Sequence, residues 1–382
     1  MANKTQTTTN FDAVVVGAGL SGLLIFKSLQ RQGLKPLLLE QRDAFGGQYR
    51  HFRPGSTFLP TGLDAFPQSH FQPEVWDWFE TLLGRKVELR EVEFEPKCYE
   101  NAEIKDFIGF GERNFKTTNL LSDLNSRSWL HPEIDPTQWV SLLIEPSQSL
   151  EHQWTLQEVT NIDLHEGNYE ITINGGKKVQ SPQVFFTPSP KILLNICSHD
   201  QMGPKTVSRL AKSLEWSATY LHFNHGKLEA PTNRLFFLYG GQDQNEPCVG
   251  RCFLDPEGDQ MLSCWMTLTA EEEAESHEHM GQVIRNVRKL LKRALPELDQ
   301  NLVSERIAVF PRAQAELQAQ IKNSPILPEF DGFFLASHLM QGFFGPVGHI
   351  RQAYEVMSGL EGKPQPQKPS ETAAVLDAPP PA

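Results

Sequence analysis

Residues 11–50 read FDAVVVGAGLSGLLIFKSLQRQGLKPLLLEQRDAFGGQYR, and no other stretch constrains the fold as tightly. Ala13–Val16 is an apolar, β-branched run without polar alternation, as expected of a strand buried on both faces of a parallel sheet. Gly17, Gly19 and Gly22 follow in G-x-G-x-x-G spacing. The first permits the tight turn, the second lets backbone approach a pyrophosphate, and the third lets the next helix pack closely on the strand. That helix is expected from about Ser21 to Gln32, ended by Gly33, with the free N–H groups of its first turn aimed at an anion. A second strand, Pro36–Leu39, ends at Glu40, about 20 residues past the glycines, where an acid meets ribose hydroxyls. Gly17, Gly19, Leu20, Ser21, Gly22 and Glu40 are therefore candidate dinucleotide contacts, and the unit they form is Rossmann-type α/β.

Gln41 and then Gly46, Gly47 and Arg50 continue the pattern as a second glycine turn carrying a cation, suited to a longer, pyrophosphate-bridged ligand lying across the sheet. Glu40 followed by GGQYR resembles the FAD-binding N-terminus of the flavin amine oxidase, protoporphyrinogen oxidase and phytoene desaturase superfamily. Two later segments extend the resemblance. Residues 154–194 read as a strand, a hairpin turning at Gly175-Gly176, and the apolar strand Val184–Phe186; the resemblance puts Val159 on the adenine side. Residues 330–359, FDGFFLASHLMQGFFGPVGHIRQAYEVMSG, resemble the closing motif in which a glycine-led helix meets the flavin ring. Ser337-His338 stands where that motif has Gly-Asp or Gly-Glu, and Ala353 where it has a late glycine. The resemblance implies noncovalent FAD, a GR2-like FAD-binding domain, and further cofactor contacts at His338, Gly348, His349 and Ile350.

The chain has 382 residues, 39% of them hydrophobic, enough for two or three domains. The expected organisation is a polar N-terminal arm (1–10), an FAD-binding domain from 11–52, 151–200 and 305–362, an α+β substrate domain from the insertions 53–150 and 201–304, and a disordered Pro-rich tail (363–382). In the second insertion, strands are expected near Ala218–Phe223, Arg234–Gly240 and Gln260–Thr267. One long helix follows them, capped by Thr269 with Glu272 and ended by Pro296. A net charge of −12 argues against nucleic acid, and the basic run at 285–293 alternates with apolar residues as a solvated helix face does. The N-terminus lacks an apolar leader core and no run approaches 18 apolar residues, so a cytoplasmic protein without a membrane span is expected. Five scattered cysteines suit reduced thiols, and no metal site is expected.

The chemistry is narrowed by what the pattern lacks. There is no second G-x-G-x-x-G for a pyridine nucleotide and no Cys-x-x-Cys beside the glycine turns, so the electron source is expected to be an organic small-molecule substrate, oxidised at flavin N5, with oxygen or another acceptor taking the electrons. The resemblance implies a lysine on a substrate-domain strand in amine oxidases, and Leu214–Phe223 carries none, which favours a larger apolar substrate. Phe343 and Phe344, between glycines in the loop facing the flavin, and Trp265 are the candidate pocket residues; His338 and His349 are the candidate acid–base groups. Two alternatives stand beside this reading: a flavin-dependent mutase or isomerase without net oxidation, and a noncatalytic flavin-binding protein.

Overall fold

A computed structural model of the chain describes residues 9–50, 65–113, 115–144, 151–165, 167–240, 246–255, 257–322 and 330–361. The N-terminal arm up to residue 8 and the Pro-rich tail lie outside the described residues. The centre is a five-stranded sheet in the order Phe333–Leu335, Val184–Phe186, Ala13–Val16, Pro36–Leu39, Gln153–Trp154, parallel throughout. Its first four strands are fully buried, which explains their unbroken apolar sequences. One face is covered by the helix Leu20–Arg31, which packs on the C-terminal helix Pro346–Glu361 and on Pro73–Leu83. Leu23, Leu24, Phe79, Trp139, Ile350 and Ala353 meet there, each large side chain contributing about 1.5–3 kcal/mol by leaving water. Asp135 caps the short helix Pro136–Leu143 that completes this layer, its carboxylate accepting from Thr137 N at 2.7 Å.

The other face carries a four-stranded sheet, Thr9–Asn10, Lys178–Ser181, Asn168–Ile173 and Val159–His165, with the hairpin turning through Gly175 at φ +77°. Tyr169 ties it to the central sheet by donating to Asp331 O at 2.6 Å. A small three-stranded sheet joins Phe66–Pro67, Ser128–Pro132 and Leu89–Glu93.

A seven-stranded sheet forms the second half, in the order Ser304–Glu316, Leu214–Asn224, Met261–Ala270, Cys248–Leu254, Arg234–Leu238, Glu95–Glu100, Glu103–Asp106. Three features differ from expectation. Cys248–Leu254 is a strand that the sequence reading left unassigned. Ser304–Glu316 is a strand without a counterpart in the sequence reading, which grouped residues 305–362 with the FAD-binding segments, and it pairs with Leu214–Asn224 in this sheet. The long helix is two: Glu271–Ala274, then His277–Ala294 capped by Ser276, whose hydroxyl accepts from His279 N at 3.3 Å. Thr269 is not a cap because it lies inside Met261–Ala270, paired with Ser217. Side-chain alternation splits the sheet's two faces. Trp216, Ala218, Tyr220 and Met266 turn toward Phe344, whereas Leu221, Phe223 and Trp265 turn toward the helix His277–Ala294. All five cysteines are free and buried, and among the described residues no helix is long and apolar enough to cross a membrane.

Candidate functional site

The carboxyl ends of the parallel strands share one edge, the place where open α/β sheets take ligands, and it is built from close backbone contacts. Gly17 has φ +88°, and a Cβ there would stand 2.5 Å from Thr187 Oγ1. That hydroxyl donates to Val16 O at 2.8 Å and closes the turn. A Cβ on Gly22 would meet Gly17 O at 2.0 Å, so the helix can start this close to the strand only without a side chain. The second glycine turn lies directly on the first: Gly46 N donates to Ala18 O at 2.7 Å, and a Cβ on Gly47 would meet Gly19 Cα at 2.9 Å. The helix beginning at Leu20 has no side-chain cap and no acid in its first turn, leaving its positive end available to phosphate.

Glu40 is 6% exposed and accepts from Ala18 N at 2.8 Å and Arg42 N at 2.9 Å. It thus shapes the glycine turn itself, with carboxylate lone pairs remaining for a hydroxyl. Gln157 N donates to Glu40 O at 2.8 Å, which brings the chain leading to Val159 alongside the acid. Gln41 is exposed, and Arg50 follows the second glycine turn half-buried. Leu20 and Ile350 turn their side chains into the core, so only their backbone is available to a ligand.

Where the motif of the resemblance has Gly-Asp or Gly-Glu, Ser337 is 1% exposed and its hydroxyl has no partner among the described residues. A buried orphan hydroxyl just past the carboxyl end of a strand of the same parallel sheet fits a ligand rich in hydroxyls. Ser21 joins the glycine turn to the C-terminal helix, its Oγ lying 3.2 Å from both His349 Nδ1 and His349 O. His338 stacks on His349 with ring centroids 4.0 Å apart, Tyr49 meets His349 edge-on, and His338 Nε2 donates to Ala313 O at 3.2 Å. Burial pushes the His338 imidazole down to about 4. Burial, and then His338 itself, holds His349 well below the usual range. Both rings are neutral near pH 7 and offer hydrogen bonds rather than charge.

Beyond the histidines lies a cavity of about 380 Å³, open solvent included, between the parallel-sheet half and the seven-stranded sheet. Gln48, Tyr49, His338, Phe343, Gly345 and His349 form one wall; Tyr220, Phe310, Ala313 and Gln314 form the other. Phe343 is stacked on His70 at 4.2 Å with the Arg351 guanidinium 5.1 Å from its ring, and Phe344 is buried at 3% exposure. Trp265 is not with them. It pairs with Leu221 on the sheet's far face and donates to Ser263 Oγ at 2.9 Å. Gly348 would point a Cβ at Phe343 O, 3.0 Å away, so its bareness lets the loop lie on the helix rather than opening space in the cavity.

The sequence reading missed Tyr220, Phe310 and Gln314. Phe310, Ala313 and Gln314 are aimed by a bulge: the register with Leu214–Asn224 slips between Trp216 and Ala218, and Arg312 takes φ +53°, rare for a residue with a side chain. Arg312 N donates to Glu271 Oε2 at 3.0 Å, and its guanidinium lies 3.4 Å from Glu215 and 3.7 Å from Glu271. Ser189 and Ser217 donate to those same two carboxylates. Such over-determination holds a strained backbone in place.

Residues 15–82 match the NAD(P)-binding Rossmann-like domain family. A lycopene-forming phytoene desaturase of Pseudescherichia vulneris is 36% identical over 100 residues, 25% of this chain and 19% of that protein. The FAD-binding monooxygenase lolF2 of Epichloe uncinata is 31% identical over 100 residues, 25% of this chain and 18% of that protein. The chain thus spans under a fifth of the length of these curated relatives. Among solved structures, wild-type putrescine oxidase bound to putrescine superposes with a TM-score of 0.67 at 13% identity, over 94% of this chain and all of that one.

Proposed function

We propose that this chain, which has the fold of the flavin amine oxidase and desaturase superfamily, is an FAD-dependent oxidoreductase that oxidises a small, partly apolar organic molecule in the cavity between its two halves. The observation that carries the reading is continuity. Two glycine turns in backbone contact, an uncapped helix start and Glu40 lead through Ser21 and His349 straight into that cavity. Noncovalent FAD, when bound, supplies two-electron redox chemistry.

The residues present fit that group. The first-turn N–H groups of Leu20–Arg31 would take its pyrophosphate, Glu40 a ribose hydroxyl, and Ser337 the polyol chain. The backbone starting at Pro346 presents a second positive helix end, which would favour negative charge on a flavin ring bound there. Phe310, Phe343, Phe344 and Tyr220 exclude water and align the substrate, the part a protein plays when a cofactor does the chemistry. The substrate-half segments are assigned as 95–106 and 214–316, from their strands in the seven-stranded sheet. Bound FAD would pass the electrons it takes up to oxygen or another acceptor, and the free cysteines suit a reducing compartment such as the cytoplasm.

The test is direct. Protein purified with its cofactor is yellow, and denaturation releases FAD, identified by chromatography. Release of FMN or NAD, or failure to bind added FAD, refutes the reading. Under nitrogen, organic reductants bleach the flavin, whereas NADH and NADPH react slowly; fast stoichiometric bleaching by either overturns the assignment of the electron source.

A further inference from the structure

Gln314 is 2% exposed and lines the cavity from the strand Ser304–Glu316. Its Nε2 donates to Phe343 O at 3.1 Å. Because a backbone carbonyl can only accept, this bond fixes which end of the amide faces the loop. The other end, Oε1, is a buried acceptor with no partner among the described residues. A buried acceptor in that state is costly unless a donor reaches it. The surroundings say what sort of donor. The described lining residues are aromatic rings, amides, imidazoles and small residues, without Lys, Arg, Asp or Glu. A cation placed among them would lose its hydration without gaining a counter-charge, and so would an anion, because the Arg351 guanidinium lies against the Phe343 ring and is not among the lining residues. The position is also built rather than incidental, since the Arg312 bulge, braced by Glu215 and Glu271, delivers Gln314 and Phe310 to the wall opposite His349.

We propose that Gln314 is a specificity-determining residue: its Oε1 accepts a hydrogen bond from an uncharged O–H or N–H group on the substrate, and the cavity selects neutral donors over both cationic amines and carboxylates. The inference rests on reading the cavity as the substrate site. The cofactor also carries N–H groups, so the experiment separates the two sources.

Four probes sharing one ring serve: benzyl alcohol, toluene, benzylammonium and benzoate. Binding to the protein as purified is measured by calorimetry and by ligand-induced shift in melting temperature, neither of which needs turnover, while flavin content is measured on the same samples. Wild type should hold benzyl alcohol roughly tenfold tighter than toluene, the worth of one buried hydrogen bond, and both ions more weakly than toluene. Gln314→Leu should erase the alcohol's advantage to within about twofold while keeping its flavin. Gln314→Met serves the same purpose if the leucine variant is poorly folded, and Gln314→Glu should move the preference to benzylammonium. Benzyl alcohol binding no tighter than toluene, including no binding of either, overturns the inference. So does a preference that survives in both Gln314→Leu and Gln314→Met. If these variants instead lose flavin with the preference unchanged, the donor belongs to the cofactor and the substrate assignment is wrong. Absence of flavin from wild type is a separate result, which refutes the functional reading above and leaves the probe series to decide on Gln314 alone.

Discussion

The two halves of the molecule make their ligand surfaces in opposite ways. In the parallel half, contacts are made by missing side chains: Gly17, Gly19, Gly22, Gly46 and Gly47 lie within about 30 residues of one another, and the backbone does the binding. In the seven-stranded half, contacts are made by side chains, Tyr220, Phe310 and Gln314, brought together by pairing strands far apart in sequence. The first surface is rigid in sequence as well as in space, because at Gly22, Gly46 and Gly47 a single methyl group would collide with backbone. The second is made by side chains that can be exchanged without moving the glycine turns, so on the proposed reading the substrate could vary while the cofactor stays. Damage to the first should remove the flavin; damage to the second should leave the flavin and alter what it meets.

The largest effect expected is for Gly22→Ala, whose Cβ would meet Gly17 O at 2.0 Å. It should lose flavin altogether and lower stability by about 3 kcal/mol, read by released flavin and by denaturant unfolding. A yellow, stable variant would break the comparison at its firmest point. Gly348→Val comes next. Its side chain displaces the Phe343 carbonyl and shifts the loop on the helix, so flavin retention should fall while the apo fold melts cooperatively. Glu40→Gln removes the charge that accepts from Ala18 and Arg42 and should weaken FAD binding by roughly 1.5–3 kcal/mol, with the probe preferences of the cavity unchanged.

A pH ramp tests the seam between the halves. His338 is held down to about 4 by burial and His349 is lowered in the same direction, whereas both take up protons near 6.5 when unfolded. Stability should therefore be full above that value and fall as pH drops from about 6.5 toward 4, by up to about 1.4 kcal/mol per pH unit for each ring. His338→Phe should flatten the slope. A melting temperature constant from pH 7 to pH 5 would show that the rings charge in place. Smallest in its effect on the cofactor is Phe344→Ala, which should keep FAD and change substrate affinity, at a stability cost of about 3 kcal/mol for a buried ring.

How far each half was legible follows from the same contrast. Ala13–Val16, the helix after it, Pro36–Leu39 and Glu40 are local patterns, and the structure has them within a residue of where the sequence puts them. Ser21 stands in the glycine motif, but its contact with His349 spans 328 positions and leaves no local trace. Trp265 was misassigned to the pocket because strand parity decides the face. It sits opposite Leu221, one step out of phase with the Tyr220–Met266 pair. The Arg312 bulge could not be read at all, since an arginine at positive φ has no compositional signature. Gln314 was invisible with it.

The interleaving of the central sheet bears on how the protein is made. The strand carrying the first glycine turn is flanked by residues 184–186, and the next strand outward is 333–335. The helix Pro346–Glu361, which covers the apolar face of Leu20–Arg31, emerges from the ribosome later still. A nascent chain therefore displays its most recognisable sequence from the start with one oily helix face uncovered. Although Pro73–Leu83 and Pro136–Leu143 cover part of that face earlier, its largest contact must wait for more than 300 further residues. High contact order of this kind slows folding and exposes intermediates to aggregation. A nucleotide that binds only the closed form then acts as the last clasp, so cofactor supply during synthesis, more than any later addition, should set the yield of intact protein.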